Sequence, residues 1–573
     1  MPPDWTALRE KRALKNALAS TSSPHPLERT TACTAPAPPA ADAAVPYAHP
    51  DLPSSLEARQ IPGRGRGVVA KDPLTAGSTL LATAPLVSTL DNLSLPVRCS
   101  SCFRAADDLD VPVAKQKLLQ CSLCHVVQYC SAACQKNDWA LHKKECHALR
   151  NAAKNGEKKS SVPDTPVRAL GRLLWVRELK GDKLWEQIES LESHRARLSP
   201  EEQERFFHLS IALSRYVGQD TLRQACPDAG AVMDLLSRFA SNSFALTAPT
   251  DLSNIGVSIS PLTALFNHSC APNAVVVFPS FPTLASPRHM HVVAIRPIAA
   301  GEEVLTSYVD LALPRDRRRR DLSERYKFDC ECVACEADGV DPREALSCPN
   351  AKEGCEGLIQ LPDRDSTATS VTCPTCKANA PYKSVHAALD AAKEAFAAAE
   401  KEQYKEPHVA ALHLQHLLTS LTAPLDSTPA LALSSYPVFP ALQLLLTLQL
   451  HAHAFDGALS TATLAWHGAQ AVYPVAHPVR ALLRTTLVRL QTMPPPQDAA
   501  HPGPERAYWG DVAARERAVH ELVGGLREVE AAFGSGAAGG EMARRLRDLV
   551  ADQEQGIIVG RRMRAAAQGA LEE

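Results

Sequence analysis

The chain has 573 residues, 22% of them charged and 45% hydrophobic, with a formal net charge of −2. At ~150 residues per domain, that length predicts about three or four domains. The near-neutral balance, with an isoelectric point near 6.9, argues against a protein that coats nucleic acid through bulk charge. No run reaches the ~18 uninterrupted apolar residues of a membrane span; the nearest, Leu442–Leu450, lies between Pro440 and His451. The first residues include Asp4, Arg9, Glu10, Lys11 and Arg12, where a secretory signal needs an apolar segment. The sequence therefore reads as an intracellular protein, cytoplasmic and/or nuclear, without a membrane segment and without a strong nucleic-acid signal. In a reducing compartment its 17 cysteines point to metal sites before disulfides.

In chain order, residues 1–54 are rich in Pro, Ala, Ser and Thr, with Ala35-Pro36-Ala37-Pro38-Pro39-Ala40 typical, and read as a disordered N-terminal segment. Residues 55–98 hold a glycine turn, Gly63-Arg64-Gly65-Arg66-Gly67, then Val68-Val69-Ala70 and a short strand at Ser78–Ala82. A first cysteine group fills 99–146. The segment 147–240 reads as helical, with stretches at 167–195 and 201–240. Strand-like runs return at Ala274–Phe278 and His291–Ile295 within 241–311, and a second cysteine group lies in 312–336. A third occupies 345–378. From 384 to 573 the period is that of helices: Leu414, Leu417, Leu418 and Leu421 recur at i, i+3, i+4 and i+7. Further helical segments read at 385–402, 440–471, 478–491, 511–532 and 541–553, an arrangement expected to form an α-solenoid.

The first cysteine group carries the most specific signal. Cys99-x2-Cys102, Cys121-x2-Cys124, Cys130-x3-Cys134 and His142-x3-Cys146 offer eight soft ligands in four close pairs. A structural zinc takes four such ligands tetrahedrally, so eight imply two ions. Spacing alone does not choose how the pairs combine. With Gln128-Tyr129-Cys130-Ser131 and Asp138-Trp139 between the ligands, the segment resembles a MYND zinc finger. The resemblance implies interleaved sites, Cys99, Cys102, Cys130 and Cys134 on one ion and Cys121, Cys124, His142 and Cys146 on the other. A segment of this size has too little apolar surface to fold alone, so metal should supply much of its folding energy. MYND fingers often bind proline-rich peptides, and by resemblance Gln135 and Trp139 line such a groove. A structural place for Trp139 suits the sequence equally.

The second signal is Asn267-His268-Ser269-Cys270-Ala271-Pro272-Asn273. Alone it could suggest a Cys/His nucleophile pair, but adjacent residues rarely aim both side chains at one substrate atom. Downstream come Gly301-Glu302-Glu303-Val304-Leu305, Tyr308, and Phe328-Asp329-Cys330-x-Cys332-x2-Cys335. That order resembles the SET-domain protein-lysine methyltransferases, and a MYND finger inserted after the first SET segment resembles the SET- and MYND-domain (SMYD) family in particular. Cys330, Cys332 and Cys335 are one thiolate short of a closed structural site; the resemblance supplies Cys270 as the fourth. The run Arg317–Arg320 reads as a solvated helix face.

The resemblance implies an α+β multidomain protein: a split, β-rich SET domain with an inserted MYND finger, a post-SET zinc site and an α-helical TPR-like C-terminal domain, working as a monomer. It implies methyl transfer from S-adenosylmethionine to a lysine of a histone or non-histone protein. By the same resemblance Tyr308 is the catalytic tyrosine, and Phe244 and Tyr326 line the lysine channel. Arg64, Gly65, Arg66, Asn242, Asn267, His268 and Phe328 match cofactor contacts. Arg66 stands where many relatives carry a small polar residue, and Ala264 where a hydroxyl residue can occur. Those departures keep open a second reading, a MYND-based interaction scaffold with a weak or inactive SET domain. Finally, Cys348-x6-Cys355-x17-Cys373-Pro374-Thr375-Cys376 resembles a zinc ribbon and predicts a fourth zinc. His477, in Tyr473-Pro474-Val475-Ala476-His477-Pro478, reads as a loop residue.

Overall fold

A computed structural model of the chain describes residues 51–109, 111–112, 116–155, 162–283, 285–494, 511–535 and 539–572. All but the last four residues of the expected disordered segment lie outside the described residues. Strand β1 (Leu56–Ile61) turns back into β2 (Gly65–Ala70), pairing Ile61 with Gly65. Gly63 and Gly65 hold φ +72° and +75°, a left-handed backbone that glycine adopts without steric cost. β3 (Thr79–Thr83) and β4 (Val87–Leu90) follow. The finger then contributes β5 (Leu119–Gln120), β6 (Gln128–Tyr129) and the long helix α1 (Ala132–Asn155).

The helical insert is more broken than its hydrophobic period predicts. It comprises α2 (Thr165–Lys180), α3 (Asp182–Glu189), α4 (Pro200–Val217), α5 (Gln219–Ala225) and α6 (Ala229–Asn242). The expected stretch 167–195 is cut at Gly181, with φ +87°, and 201–240 is cut at Gly218, with φ +90°. Between α3 and α4 the chain runs as a strap with one 3-10 turn at Arg195–Arg197. That strap becomes one wall of the cleft described below.

After the insert come β7 (Ser243–Thr247), β8 (Asn254–Ile259), β9 (Asn267–His268), β10 (Ala274–Val277), β11 (Met290–Ala294) and β12 (Leu305–Thr306). Their pairing closes the split in the sequence. β8 lies between β4 and β7, β11 lies between β10 and β3, and β9 runs parallel to β12. β10, Ala-Val-Val-Val, is buried except at Val276, as expected for a β-branched run covered on both faces. The β-domain is one unit assembled from both sides of the finger and insert.

Helix α7 (Arg315–Tyr326) leads into the second cysteine group, whose Cys330 and Cys332 lie in the following loop and whose Cys335 is on the short α8 (Val333–Glu336). Arg317–Arg320 is the solvated face expected only at Arg319 and Arg320, which are exposed. Arg318 is buried with its guanidinium 3.7 Å from Asp341, and Arg317 lies over the Tyr436 ring at 5.1 Å. The third cysteine group forms two small hairpins, β13 (Ala345–Ser347) with β14 (Leu358–Gln360) and β15 (Ser370–Thr372) with β16 (Asn379–Pro381).

The C-terminal part is helical throughout its described residues: α9 (His386–Glu402), α10 (Pro407–Thr422), α11 (Val438–His451), α12 (Phe455–Val472), α13 (Pro478–Thr492), α14 (Val512–Phe533) and α15 (Gly540–Glu572). Each packs on the next. Leu414, Leu417, Leu418 and Leu421 form the buried face of α10. The expected helix 440–471 is two helices, separated where His453 takes φ +55°. α11, which holds the most apolar run, is a buried core helix, and among the described residues no helix is long and apolar enough to cross a membrane. His477 caps α13, accepting from the Val479 N–H, and stacks on Tyr473 with centroids 4.4 Å apart. The domain docks through α14 against β11 and through Arg545, whose guanidinium lies 2.9 Å from Asp108 of the finger.

Candidate active site and metal centres

Four sets of ligand atoms converge, each within 4.8 Å of one another: Cys99/Cys102/Cys130/Cys134, Cys121/Cys124/His142/Cys146, Cys270/Cys330/Cys332/Cys335 and Cys348/Cys355/Cys373/Cys376. Their spacing tests whether zinc fits. A Zn–S bond of ~2.3 Å in a tetrahedron sets sulfur atoms ~3.8 Å apart, whereas a disulfide needs ~2.05 Å. The structure gives 3.6 Å for Cys102–Cys130, 4.0 Å for Cys121–Cys146, 3.7 Å for Cys335–Cys270 and 3.9 Å for Cys355–Cys373. His142 turns Nε2 toward Cys124, at 3.8 Å. These are tetrahedron edges, and the interleaved pairing of the finger is the one the resemblance implied. Every ligand is a thiol or imidazole and every set is closed, the donor chemistry of structural zinc.

The finger's second site is braced from the insert. His142 Nδ1 lies 3.5 Å from Glu145 Oε2, which is 2.5 Å from Arg172 Nη1. Arg172 also meets Asp138 at 2.5 Å, and Asp138 accepts from the Tyr129 hydroxyl at 2.9 Å. Arg168 lies 3.6 Å from Glu145. Burial works to raise the Glu145 pKa, but Arg172, His142 and Arg168 together hold it below the ordinary carboxylate range. Such outer carboxylates fix the orientation and tautomer of a metal-ligating histidine. Gln135 and Trp139 lie on α1; Gln135 is exposed, and Trp139 is 39% exposed with its ring 6.2 Å from that of the ligand His142, so it faces both solvent and the finger's second site.

A cleft of about 690 Å³ lies where four separate segments meet: the glycine turn Gly63–Arg66, the strap Leu191–Arg197, the strand around Asn267-His268, and the post-SET residues Tyr326–Glu331. That volume lies in the ordinary range for small-molecule sites. Gly65 leaves open space where a Cβ would be, whereas a Cβ on Gly67 would come within 2.7 Å of Asn267 Nδ2 and Glu303 Oε1. Glycine at 67 thus lets Asn267 close onto the turn, donating to the Arg66 carbonyl at 3.1 Å and to Glu303 at 2.8 Å. Glu303 also meets Arg64, at 3.3 Å. Sequence reasoning placed Glu303 only in a motif; its role as the link between turn and strand comes from a pairing with no local pattern.

Tyr308, Tyr326 and Phe328 meet in this cleft. The Tyr308 and Tyr326 rings lie 4.8 Å apart, and Phe328 lies 6.0 Å from the His268 ring. The Tyr308 hydroxyl donates to the Phe266 carbonyl at 2.8 Å, which commits its proton and leaves oxygen lone pairs free. Burial, with smaller contributions from Tyr326 and Glu303, pushes its pKa well up, so the phenol stays neutral. His268 is fully engaged: Nδ1 accepts from the Tyr308 N–H at 3.0 Å, and Nε2 lies 3.3 Å from Cys270 Sγ. Accepting at Nδ1 assigns the proton to Nε2. Its imidazole therefore ties Tyr308 to the post-SET metal ligands.

Other expected residues fall less simply. Asn242 lines the cleft, but its amide nitrogen is spent on the carbonyls of Glu192 and Arg238. Arg66 spans the mouth to the Ser190 carbonyl. Ala264 lines the cleft. Phe244, on β7, is half-buried against the cluster containing Leu246 and Leu90 and is not brought to the cleft. The strap itself was missed, because its residues resemble an ordinary helix end.

A MYND finger family model matches residues 99–146. The mouse histone-lysine N-methyltransferase SMYD3 is 31% identical over 288 residues, 48% of this chain and 60% of that protein. The Arabidopsis thaliana histone-lysine N-methyltransferase ASHR1 is 26% identical over 76% of this chain and 86% of its own length. A crystal structure of the SET domain of LSMT bound to lysine and AdoHcy aligns with 88% of the chain at 12% identity, with a TM-score of 0.24, too low a likeness to bear on the fold. Against the mouse SMYD3 and its human counterpart the chain spans 60% of the relative's length. The Xenopus laevis N-lysine methyltransferase SMYD2-A is 31% identical over 316 residues, 54% of this chain and 68% of that protein. With a complete finger set between two halves of one β-domain and a relative 31% identical that is matched over 68% of its length, the chain belongs to the SMYD family of SET- and MYND-domain proteins.

Proposed function

We propose that this chain is a protein-lysine N-methyltransferase that uses S-adenosylmethionine and acts on a lysine of a histone or non-histone protein. The observation that carries the reading is the convergence of Tyr308, Tyr326 and Phe328 with the glycine turn and the Asn267-His268 strand in one cleft. The residues present fit the cofactor: a glycine turn whose Gly63 and Gly65 leave open space where a Cβ would be, an aromatic ring at Phe328, and the Asn267-His268 strand. Bound there, S-adenosylmethionine would supply an electrophilic methyl on a sulfonium. The chain's own part is to position and desolvate. Asn267 and Glu303 hold the turn. His268 holds the Tyr308 backbone, and Phe266 orients its hydroxyl so that the oxygen is offered as an acceptor. The paired rings of Tyr308 and Tyr326 form an apolar passage that disfavours an ammonium, which helps a lysine, ordinarily of pKa ~10.4, to lose its proton.

The finger is read as a protein-interaction module, with Gln135 and Trp139 one helical turn apart as the contact for proline-rich partners. Cytoplasmic and/or nuclear residence fits the free thiols of all four ligand sets. One observation favours the scaffold reading. The Arg66 guanidinium reaches across the cleft mouth to Ser190, where it could obstruct the cofactor. Calorimetric titration of S-adenosylmethionine into purified protein decides: one-to-one binding supports the enzyme, and no binding at millimolar cofactor leaves the scaffold.

A further inference from the structure

Lys327 follows α7 with φ +61°, a left-handed position that glycine or asparagine ordinarily fills. Its side chain explains a lysine there. Nζ lies 2.9 Å from Glu202 Oε1 and 2.8 Å from Oε2, and it donates to the Glu324 carbonyl in the last turn of α7. The paired side chains are only 12% and 16% exposed, so this is not a solvent-screened surface pair. The Lys327 carbonyl accepts from Arg197 Nη1 at 2.9 Å. Glu202 is itself fixed: it is the third residue of α4 and closes the capping box that starts it, accepting from the Ser199 N–H at 2.8 Å.

The two ends of this tie belong to opposite walls of the cleft. Arg197 ends the strap, and Glu202 opens the helix that follows it. Lys327 lies between Tyr326 and Phe328, which both line the cleft. The strap's other end is anchored within the insert, through Arg238 to the Leu191 carbonyl at 3.0 Å and Arg195 to Asp234 at 3.3 Å. The Lys327 tie therefore joins the strap to the post-SET wall.

We propose that the Lys327–Glu202 ion pair, with the Arg197 bond to the Lys327 carbonyl, fastens the insert wall of the cleft to its post-SET wall, making Lys327 a positioning residue for the cofactor. This rests on the methyltransferase reading above. Opening the fastener lets the strap and Phe328 move apart, so cofactor affinity falls while the Tyr308 centre, held separately by His268 and Phe266, still turns over.

The test is a double-mutant cycle of Lys327→Met and Glu202→Gln in the full chain, with Lys327→Arg as rescue. Gln at 202 keeps the capping box and removes only the charge. Each single variant should weaken S-adenosylmethionine binding by about tenfold, with kcat at saturating cofactor within about twofold of wild type. The double variant should be no weaker than either single one, and Lys327→Arg should restore affinity. Hydrogen exchange at 191–197, measured without cofactor, should rise in both single variants. Unchanged affinity in Glu202→Gln, or losses that simply add, would overturn the proposal. If wild type binds no S-adenosylmethionine, the methyltransferase reading fails instead, and exchange at 191–197 alone then decides whether the fastener exists.

Discussion

The finger and the cleft are built by opposite means. In the finger, eight ligands from one 48-residue segment, 99–146, converge on two closed sets, so residue type and spacing specify the structure directly. The cleft draws on positions such as Arg66 and Ser190, 124 residues apart, and Arg197 and Lys327, 130 apart, joined by hydrogen bonds and ion pairs that leave no periodic trace. Metal chemistry makes one region robust and locally encoded. The other depends on the whole fold, and it is there that the proposed chemistry would occur. The post-SET site stands between them: Cys270 sits two residues from His268, whose imidazole reaches Tyr308.

That contrast predicts unequal effects for ligand substitutions of the same kind. Cys270→Ser removes a buried ligand bound into the cleft. It should lower zinc content from four ions per chain to three and abolish S-adenosylmethionine binding. Cys376→Ser removes the exposed ligand of the ribbon; zinc should again fall to three, with cofactor affinity within about twofold of wild type. Elemental analysis and calorimetry on the same preparations check both. Equal loss of binding in the two variants would erase the distinction between the sites.

Next in size is the brace between finger and insert. Arg172→Met strands Glu145 and Asp138 as buried carboxylates and should cost about 3–5 kcal/mol of stability, measured by denaturant unfolding. A loss below about 1 kcal/mol would mean that the finger folds independently of the insert. Tyr308→Phe, by contrast, should leave the unfolding midpoint nearly unchanged and cofactor affinity within about twofold, while single-turnover methyl transfer falls about 100-fold or more. The smallest effect is expected at the surface. Trp139→Ala should leave zinc content and peptide methylation intact and weaken binding to a proline-rich peptide by about tenfold. Loss of zinc in that variant would show that Trp139 belongs to the finger's core.

The same contrast explains what could be read from the sequence. Most of the ligand positions were legible because close cysteine and histidine pairs are rare without a metal, whereas Cys270, with no ligand pair of its own, was legible only through the family resemblance, as were the glycine turn, Asn267 and Tyr308 as an ordered set. Glu303, the strap and Lys327 were not, since an acidic residue, a broken helix and a basic residue each have an ordinary surface explanation. His268 was recognised as a site residue, but its imidazole faces Tyr308 and Cys270, a placement no motif states. Arg318 misled for the same reason: four consecutive arginines suggest a solvated face, and only the fold supplies Asp341 as a buried partner.

The central claim is that the cleft transfers methyl groups to lysine. Its most direct test is incubation of the full chain with methyl-labelled S-adenosylmethionine and a cell extract depleted of methyl-lysine, followed by mass spectrometry of the labelled proteins. The account predicts label on lysine side chains with wild type and its near-complete loss with Tyr308→Phe. Wild-type protein that binds S-adenosylmethionine yet labels no lysine, or labels it equally well with Tyr308→Phe, would contradict it.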